Sequence, residues 1–217
     1  MTVPAPPAPP ALPAAPLAPI ALGAATIASP APVRTELSAH SYQLNVLDNE
    51  RMSVTGSLRG PHRAPLALKV VLLQTLGRHG WRTVTRDRTG PRGRFRLSFA
   101  PRGLGSQLLR VDFKGDALDE PSHQRVGSLN VYREVQASWY GGGGGLACGG
   151  SLTSGTLGVA NRTLPCGTEV TLHYGGRTVR VPVVDRGPFV EGREFDLTEA
   201  TKQALGFGDT GAVWSTR

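Results

Sequence analysis

The chain has 217 residues, room for two small domains, since domains commonly run to about 100–150 residues. Glycine (28) and proline (18) are plentiful and helical periodicity is scarce, which favours an all-β fold of short strands joined by turns. No apolar run approaches the ~20 residues of a membrane-spanning helix, which excludes a transmembrane helix. No CxxC or Cys/His spacing suggests zinc, so neither metal nor cofactor is expected.

The net charge of +8 is unevenly placed. Basic residues exceed acidic ones by 17 to 9 between Arg34 and Gln136, and the two are equal at 7 each from Ala137 to Arg217. Such a basic block suits nucleic acid, an anionic wall polymer or a membrane surface. It equally suits a genome that favours arginine, because Arg outnumbers Lys by 21 to 3.

Residues 1–36 are mostly Ala, Pro and Leu. Prolines at 4, 6, 7, 9, 10, 13, 16 and 19 rule out a helix, so the segment reads as an extended, disordered leader. Its small-residue stretch at 22–28 resembles the tail of an export signal, although no Lys or Arg precedes it and Pro16 and Pro19 interrupt the apolar part.

Residues 37–134 read as a basic β-sandwich of immunoglobulin or fibronectin type. Strands are predicted at 53–58, 67–75, 81–87, 94–100, 108–113 and 126–132. Alternation is clearest in Arg94-Phe95-Arg96-Leu97-Ser98-Phe99, where every second residue is apolar. Glycine-containing turns separate the runs at Gly60-Pro61, Gly77 and Gly80, Gly90-Pro91, and Gly103 and Gly105. Between Arg78 and Arg102, eight arginines face one aspartate, interleaved with Trp81, Phe95 and Phe99. Those aromatics fall on the apolar strand face, which assigns them to the core and the arginines to a solvated face. Nucleic acid is therefore not expected as a partner, while anionic wall polymers are kept as one.

A change to Gly-rich, charge-balanced sequence places a domain junction near 132–137. Beyond it, Val170, Leu172 and Tyr174 alternate, Gly175-Gly176 makes a two-residue turn, and Val179, Val181 and Val183 alternate again, the pattern of a β-hairpin. The second strand runs into Asp185-Arg186-Gly187-Pro188-Phe189, a sharp turn that leaves Asp185 at a strand end. One short helix is predicted over 199–205, capped by Thr198 and stopped by Gly206. Val213 and Trp214 suit a closing strand. Cys148 and Cys166 suggest one disulfide in an exported protein and two inert thiols otherwise.

Several segments of 137–217 then fall in a familiar order: Ala137-Ser138-Trp139-Tyr140-Gly141, Ala147-Cys148-Gly149, Asn161-Arg162-Thr163-Leu164-Pro165-Cys166-Gly167-Thr168, Val184-Asp185-Arg186-Gly187-Pro188-Phe189 and Gly192-Arg193-Glu194-Phe195-Asp196-Leu197-Thr198. Together they resemble the rare lipoprotein A (RlpA)-like family, whose fold is a six-stranded double-psi β-barrel. The resemblance implies a secreted or cell-envelope protein that acts on peptidoglycan glycan strands. In its best-known form the family is a lytic transglycosylase that cleaves MurNAc–GlcNAc linkages and leaves 1,6-anhydro-MurNAc. Expansin-like relatives imply the alternative, a wall-binding module without turnover. A third reading gives the work to the basic sandwich as a polyanion binder. The family match also puts Cys148 and Cys166 in neighbouring segments of one barrel, which implies that they are joined.

A lytic transglycosylase needs a carboxyl that first donates and then accepts a proton, and a second carboxylate can stabilise oxocarbenium-like charge. Asp185 and Asp196 match the family's groove aspartates and are assigned as acid/base and partner. Taken alone, Asp185 also reads as a turn residue accepting backbone N–H groups, and Asp196 as a helix-entry residue or an ion-pair partner of Arg186 or Arg193. Asn161, Tyr140 and Arg186 are assigned to substrate binding. The chain departs from active members at Gly150, typically Glu, and at Asn161, typically His; Asn bonds a sugar but moves no proton near neutral pH. The loop 141–145 is all glycine, where members often carry an aromatic. Trp139 and Trp214 are assigned to core or rim, His173 to the surface, and Glu169, Glu191, Glu194 and Glu199 to surface charge.

Overall fold

The computed structural model describes residues 1–4 and 31–217. Residues 5–30 of the expected leader, with the export-like stretch at 22–28, lie outside the described residues, whereas Val33 bridges Asp119 and Glu36 opens the first strand, so the end of the 1–36 segment is part of the fold. Residues 31–217 are all-β apart from one short α-helix and one 3-10 turn.

The first half builds two facing sheets. Its strands are β1 (Glu36–His40), β2 (Asn45–Leu47), β3 (Met52–Arg59), β4 (Val70–Gly77), β5 (Gly80–Arg88), β6 (Arg94–Phe99), β7 (Gly105–Phe113) and β8 (Ser122–Tyr140). One sheet has the order β1-β3-β6, antiparallel throughout. The other runs β5-β4-β7-β8, with β2 added parallel to β8. Alternation puts Val54, Leu58, Phe95 and Leu97 of the first sheet against Val71, Leu73, Val111 and Leu129 of the second in one buried core. The predicted strands from 53–58 to 126–132 correspond to β3–β8.

The second half closes on itself. A two-residue pair, β9 (Gly144–Gly145) and β10 (Ser151–Leu152), precedes β11 (Val159–Ala160), β12 (Glu169–Tyr174), β13 (Arg177–Asp185), β14 (Phe195–Thr198), α1 (Glu199–Leu205) and β15 (Thr210–Ser215). Pairing runs β8-β14-β11-β13-β12-β15 and returns from β15 to β8, a six-stranded ring. Closure leaves the ring no free edge. Val170, Leu172, Val181, Val183, Phe195 and Leu197 fill it. The Gly-Gly hairpin forms with Tyr174 opposite Arg177, and positive φ at Gly175 (54°) and Gly176 (81°) supplies the twist that a two-residue turn requires. Thr198 caps α1 by accepting the Thr201 N–H, and Gly206 ends it in the left-handed region at φ 65°.

β8 belongs to both halves. β2 pairs with Asn130 to Tyr132, and β15 takes over at Arg133 without a break in the strand. The compositional change near 132–137 thus lies inside a continuous strand. An aromatic stack spans the same place: the His173 ring lies 5.7 Å from that of Tyr132 and 5.4 Å from that of Trp214. His173 is therefore half-buried rather than on the open surface, and burial lowers its pKa.

Candidate active-site groove

The ring's outer face gathers the two aspartates by register. In β11, Ala160 lies opposite Asp185 of β13 on one side and Asp196 of β14 on the other. Asp196 in turn lies opposite Ser138 of β8. Val159, Phe195, Leu197 and Ala137 point into the core, so Ala160, Asp196 and Ser138 point away from it. Strands lie about 4.8 Å apart, which separates the two aspartate backbones by about 10 Å, with buried Ala160 on the strand between them. The turn after Asp185 passes close to this row. A side chain at Gly187 would start 3.9 Å from both Ala160 Cβ and Asp196 Oδ2, and φ 135° there also favours glycine.

Each carboxylate is held by one oxygen. Asp185 Oδ1 accepts the N–H groups of Arg186 (2.8 Å) and Ala147 (2.9 Å). Its Oδ2 takes no hydrogen bond among the described residues. Asp196 Oδ1 accepts from the Ser138 hydroxyl. Neither aspartate is ion-paired among the described residues; the nearby pair is Arg133 with Glu194.

Tyr140 ends β8 beside them. Its hydroxyl is buried and makes no hydrogen bond of normal geometry. Burial pushes its pKa up, and the charge of Asp185, the closeness of the hydroxyl to that carboxylate and the charge of Asp196 push it further, so the hydroxyl keeps its proton.

Asn161 and Arg186 have a different setting. Asn161 is only 4% exposed. Its side-chain oxygen accepts from Thr163 (3.0 Å) and Leu164 (2.8 Å), and its amide nitrogen donates to the Glu194 carbonyl (3.1 Å). Arg186 donates to the carbonyls of Asn161 (3.1 Å) and Leu164 (2.8 Å) and to Cys166 Sγ (3.1 Å). Both side chains therefore tie down the segment 161–166 at the groove's edge. A disulfide joins Cys148 to Cys166 and so links that segment to the loop that donates to Asp185.

Trp139 packs at the rim, its indole N–H donating to Asp209 (2.9 Å) and its ring lying 3.8 Å beneath the Lys202 ammonium. Phe189, at the end of the Asp185 turn, is 81% exposed. Sequence reasoning passed over Phe189 and Ser138. The signal for Ser138 was its place two residues before Tyr140, on one face of one strand. Among the described residues no three His, Cys, Asp or Glu side chains gather to hold a metal ion.

The closed ring coincides with a known family. A family model described as lytic transglycolase matches residues 132–214. This segment is an RlpA-like double-psi β-barrel. The probable endolytic peptidoglycan transglycosylase RlpA of Aquifex aeolicus is 44% identical over 87 residues, covering 38% of this chain and 38% of that protein. The endolytic peptidoglycan transglycosylase RlpA of Pseudomonas aeruginosa (strain UCBPP-PA14) is 40% identical over 94 residues, covering 41% of this chain and 28% of that protein. The chain thus spans well under half the length of either relative. Among solved structures, Streptomyces papain inhibitor is similar over 38% of this chain and 92% of its own, at 26% identity and a TM-score of 0.32, a likeness too slight to argue from. The groove lies wholly within the RlpA-like barrel, and the sandwich before Tyr132 lies outside the match.

Proposed function

We propose that the barrel acts on peptidoglycan glycan strands as a lytic transglycosylase, in a secreted or envelope protein. The observation that carries the reading is the row Asp185, Ala160, Asp196: two half-buried carboxylates on one face with a small residue between them. Asp185, with Oδ2 unengaged, donates a proton to the oxygen linking MurNAc to GlcNAc as the C1–O bond breaks. The same carboxylate then takes the proton of the sugar's 6-hydroxyl, whose oxygen bonds to C1 and closes the 1,6-anhydro ring. No water is consumed and Asp185 ends as it began. Asp196, held by Ser138, stabilises positive charge at C1 while it lasts. Tyr140, whose hydroxyl is buried and keeps its proton, stands beside the two carboxylates and acts on them rather than on the sugar. Asn161 has one amide N–H to offer a sugar, and Arg186 acts through the segment it holds. The names of the relatives support the substrate class, and a disulfide suits an oxidising compartment outside the cytoplasm.

A second reading, expansin-like binding without turnover, is favoured by Gly150, by an Asn161 that moves no proton, and by a loop 141–145 without an aromatic. Release of 1,6-anhydro-muropeptides from purified sacculi, with and without stem peptides, separates the two. The natural protein should release them, and Asp185→Asn should lose roughly 10²–10⁴-fold. Wall binding with no anhydro product on either substrate would replace the first reading with the second.

A further inference from the structure

The outer face of the sheet β1-β3-β6 takes no part in the barrel's chemistry, and its side chains are arranged for anions. Leu37, Val54, Leu58, Phe95 and Leu97 point inward, so the alternate residues share the outer face. Register sets them in rows: Ser38, Ser57 and Arg94 in one, and His40, Thr55 and Arg96 in the next, with Glu36 opposite Arg59 beyond. The rows are about 7 Å apart along the strands. Arg94 and Arg96 are exposed and make no ion pair among the described residues. Asp87 accepts the Arg96 backbone N–H (3.1 Å). Arg59 donates to the Arg63 carbonyl (3.0 Å). A shallow depression of about 480 Å³ opens among these side chains. At the end of the His40 row, Tyr42 is 96% exposed, its ring 5.3 Å from that of His40 and edge-on to it.

Two neighbouring guanidiniums without a counter-ion, hydroxyls between strands and one open aromatic ring form a mixed surface. We infer that this face binds an anionic polysaccharide. The anionic groups pair with Arg94 and Arg96. Sugar hydroxyls meet Ser38, Ser57 and Thr55, and one sugar ring lies on Tyr42. Nucleic acid fits less well. Binding single strands uses successive aromatic platforms, yet Phe95 is buried and Trp81 is covered by the Arg110 guanidinium at 4.2 Å, which leaves the bases only Tyr42 on this face. The inference is independent of whether the barrel cuts glycan.

The test uses the full chain and measures binding to five polymers across a salt series: a glycosylated poly(ribitol phosphate), a uronate-containing wall polysaccharide, neutral dextran, single-stranded DNA and double-stranded DNA. The natural protein should bind one or both anionic polysaccharides at least tenfold more tightly than dextran. Arg94→Glu with Arg96→Glu should weaken that binding roughly tenfold or more and lower the salt slope by about two. Tyr42→Ala should weaken it with the salt slope unchanged. Arg78→Glu with Arg177→Glu, the same change in net charge placed on two hairpin turns, should leave it within about threefold. If the Glu pair does not fold, Arg94→Gln with Arg96→Gln replaces it, with the same direction of loss. The inference is overturned if the folded double variant binds as well as the natural protein, if the control pair weakens binding equally, if dextran binds equally, or if either DNA binds more tightly than both anionic polysaccharides.

Discussion

Replacing Tyr140 by phenylalanine should make the protein more stable and, on the reading above, less active. The hydroxyl is buried beside the Asp185 carboxylate with no hydrogen bond of normal geometry, on the β8 residue paired with Thr198. A buried polar group without a partner costs about 1–3 kcal/mol. Phenylalanine removes that group and keeps the ring, so a gain of about 1 kcal/mol is expected. In a protein of this size that raises the melting midpoint by about 2–4 °C. The alkaline limb should change as well. The folded pKa of Tyr140 is raised, so above about pH 10 the unfolded chain releases that proton first and stability falls with rising pH. Tyr140→Phe lacks this component and should hold its stability further into alkali. Loss of a preorganised donor beside the reacting carboxylate should lower turnover by roughly 10²-fold. Calorimetry at pH 7 and pH 10.5, with anhydro-muropeptide release on the same samples, reads all three effects. A midpoint that drops by more than about 2 °C would refute the argument, because it would mean that the hydroxyl has a partner after all.

Three further outcomes are expected from the fold. Reducing Cys148–Cys166, which are 18 residues apart, should lower stability by about 3 kcal/mol in denaturant titration, and an unchanged midpoint would count against the chain-entropy estimate. A fragment starting at 137 should be less stable than one starting at 130, because Arg133 to Gln136 supply four of the six residues that pair with β15, and buried Val135 alone contributes about 1.5–3 kcal/mol; equal unfolding curves would refute this. Burial lowers the folded pKa of His173, so below about pH 6.5 the unfolded chain takes up a proton first and stability falls as pH falls. Its ring faces Tyr132, Trp214 and the Thr178 hydroxyl (2.8 Å), and His173→Phe should flatten the acid limb of the pH–stability curve.

Elements with a strong local signal were legible in the sequence. The hairpin around Gly175-Gly176, the helix between Thr198 and Gly206 and the strand at Arg94 each carry their own period, turn or cap. What escaped was set at long range. β11 is two residues, too short for any period, yet Ala160 in it sets the spacing of the aspartates. The pairing of Cys148 with Cys166 stayed open on composition and came into view only with the family resemblance. Tyr140 was visible as a residue, but the burial of its hydroxyl beside Asp185 of β13 and Asp196 of β14 is set by long-range packing. Asn161 and Arg186 were legible as polar groups near the groove, whereas their engagement with backbone groups of 161–166 is a property of the folded loop. His173 looked exposed because its hairpin is polar there, and it is covered by Tyr132 and Trp214, brought to it from β8 and β15.

The undivided run of β8 makes the two halves a ruler rather than beads on a string. Its nineteen residues, at about 3.3 Å each, span up to about 60 Å with a bulge at Gly127, and sheet partners anchor the strand along much of its length. A flexible tether would let the barrel explore a cloud of positions around whatever the sandwich grips, with an effective concentration set by tether length. A shared strand replaces that cloud with a fixed offset and bearing. If the sandwich holds a polymer as inferred above, the groove meets glycan strands only at a fixed distance and angle from the point of attachment.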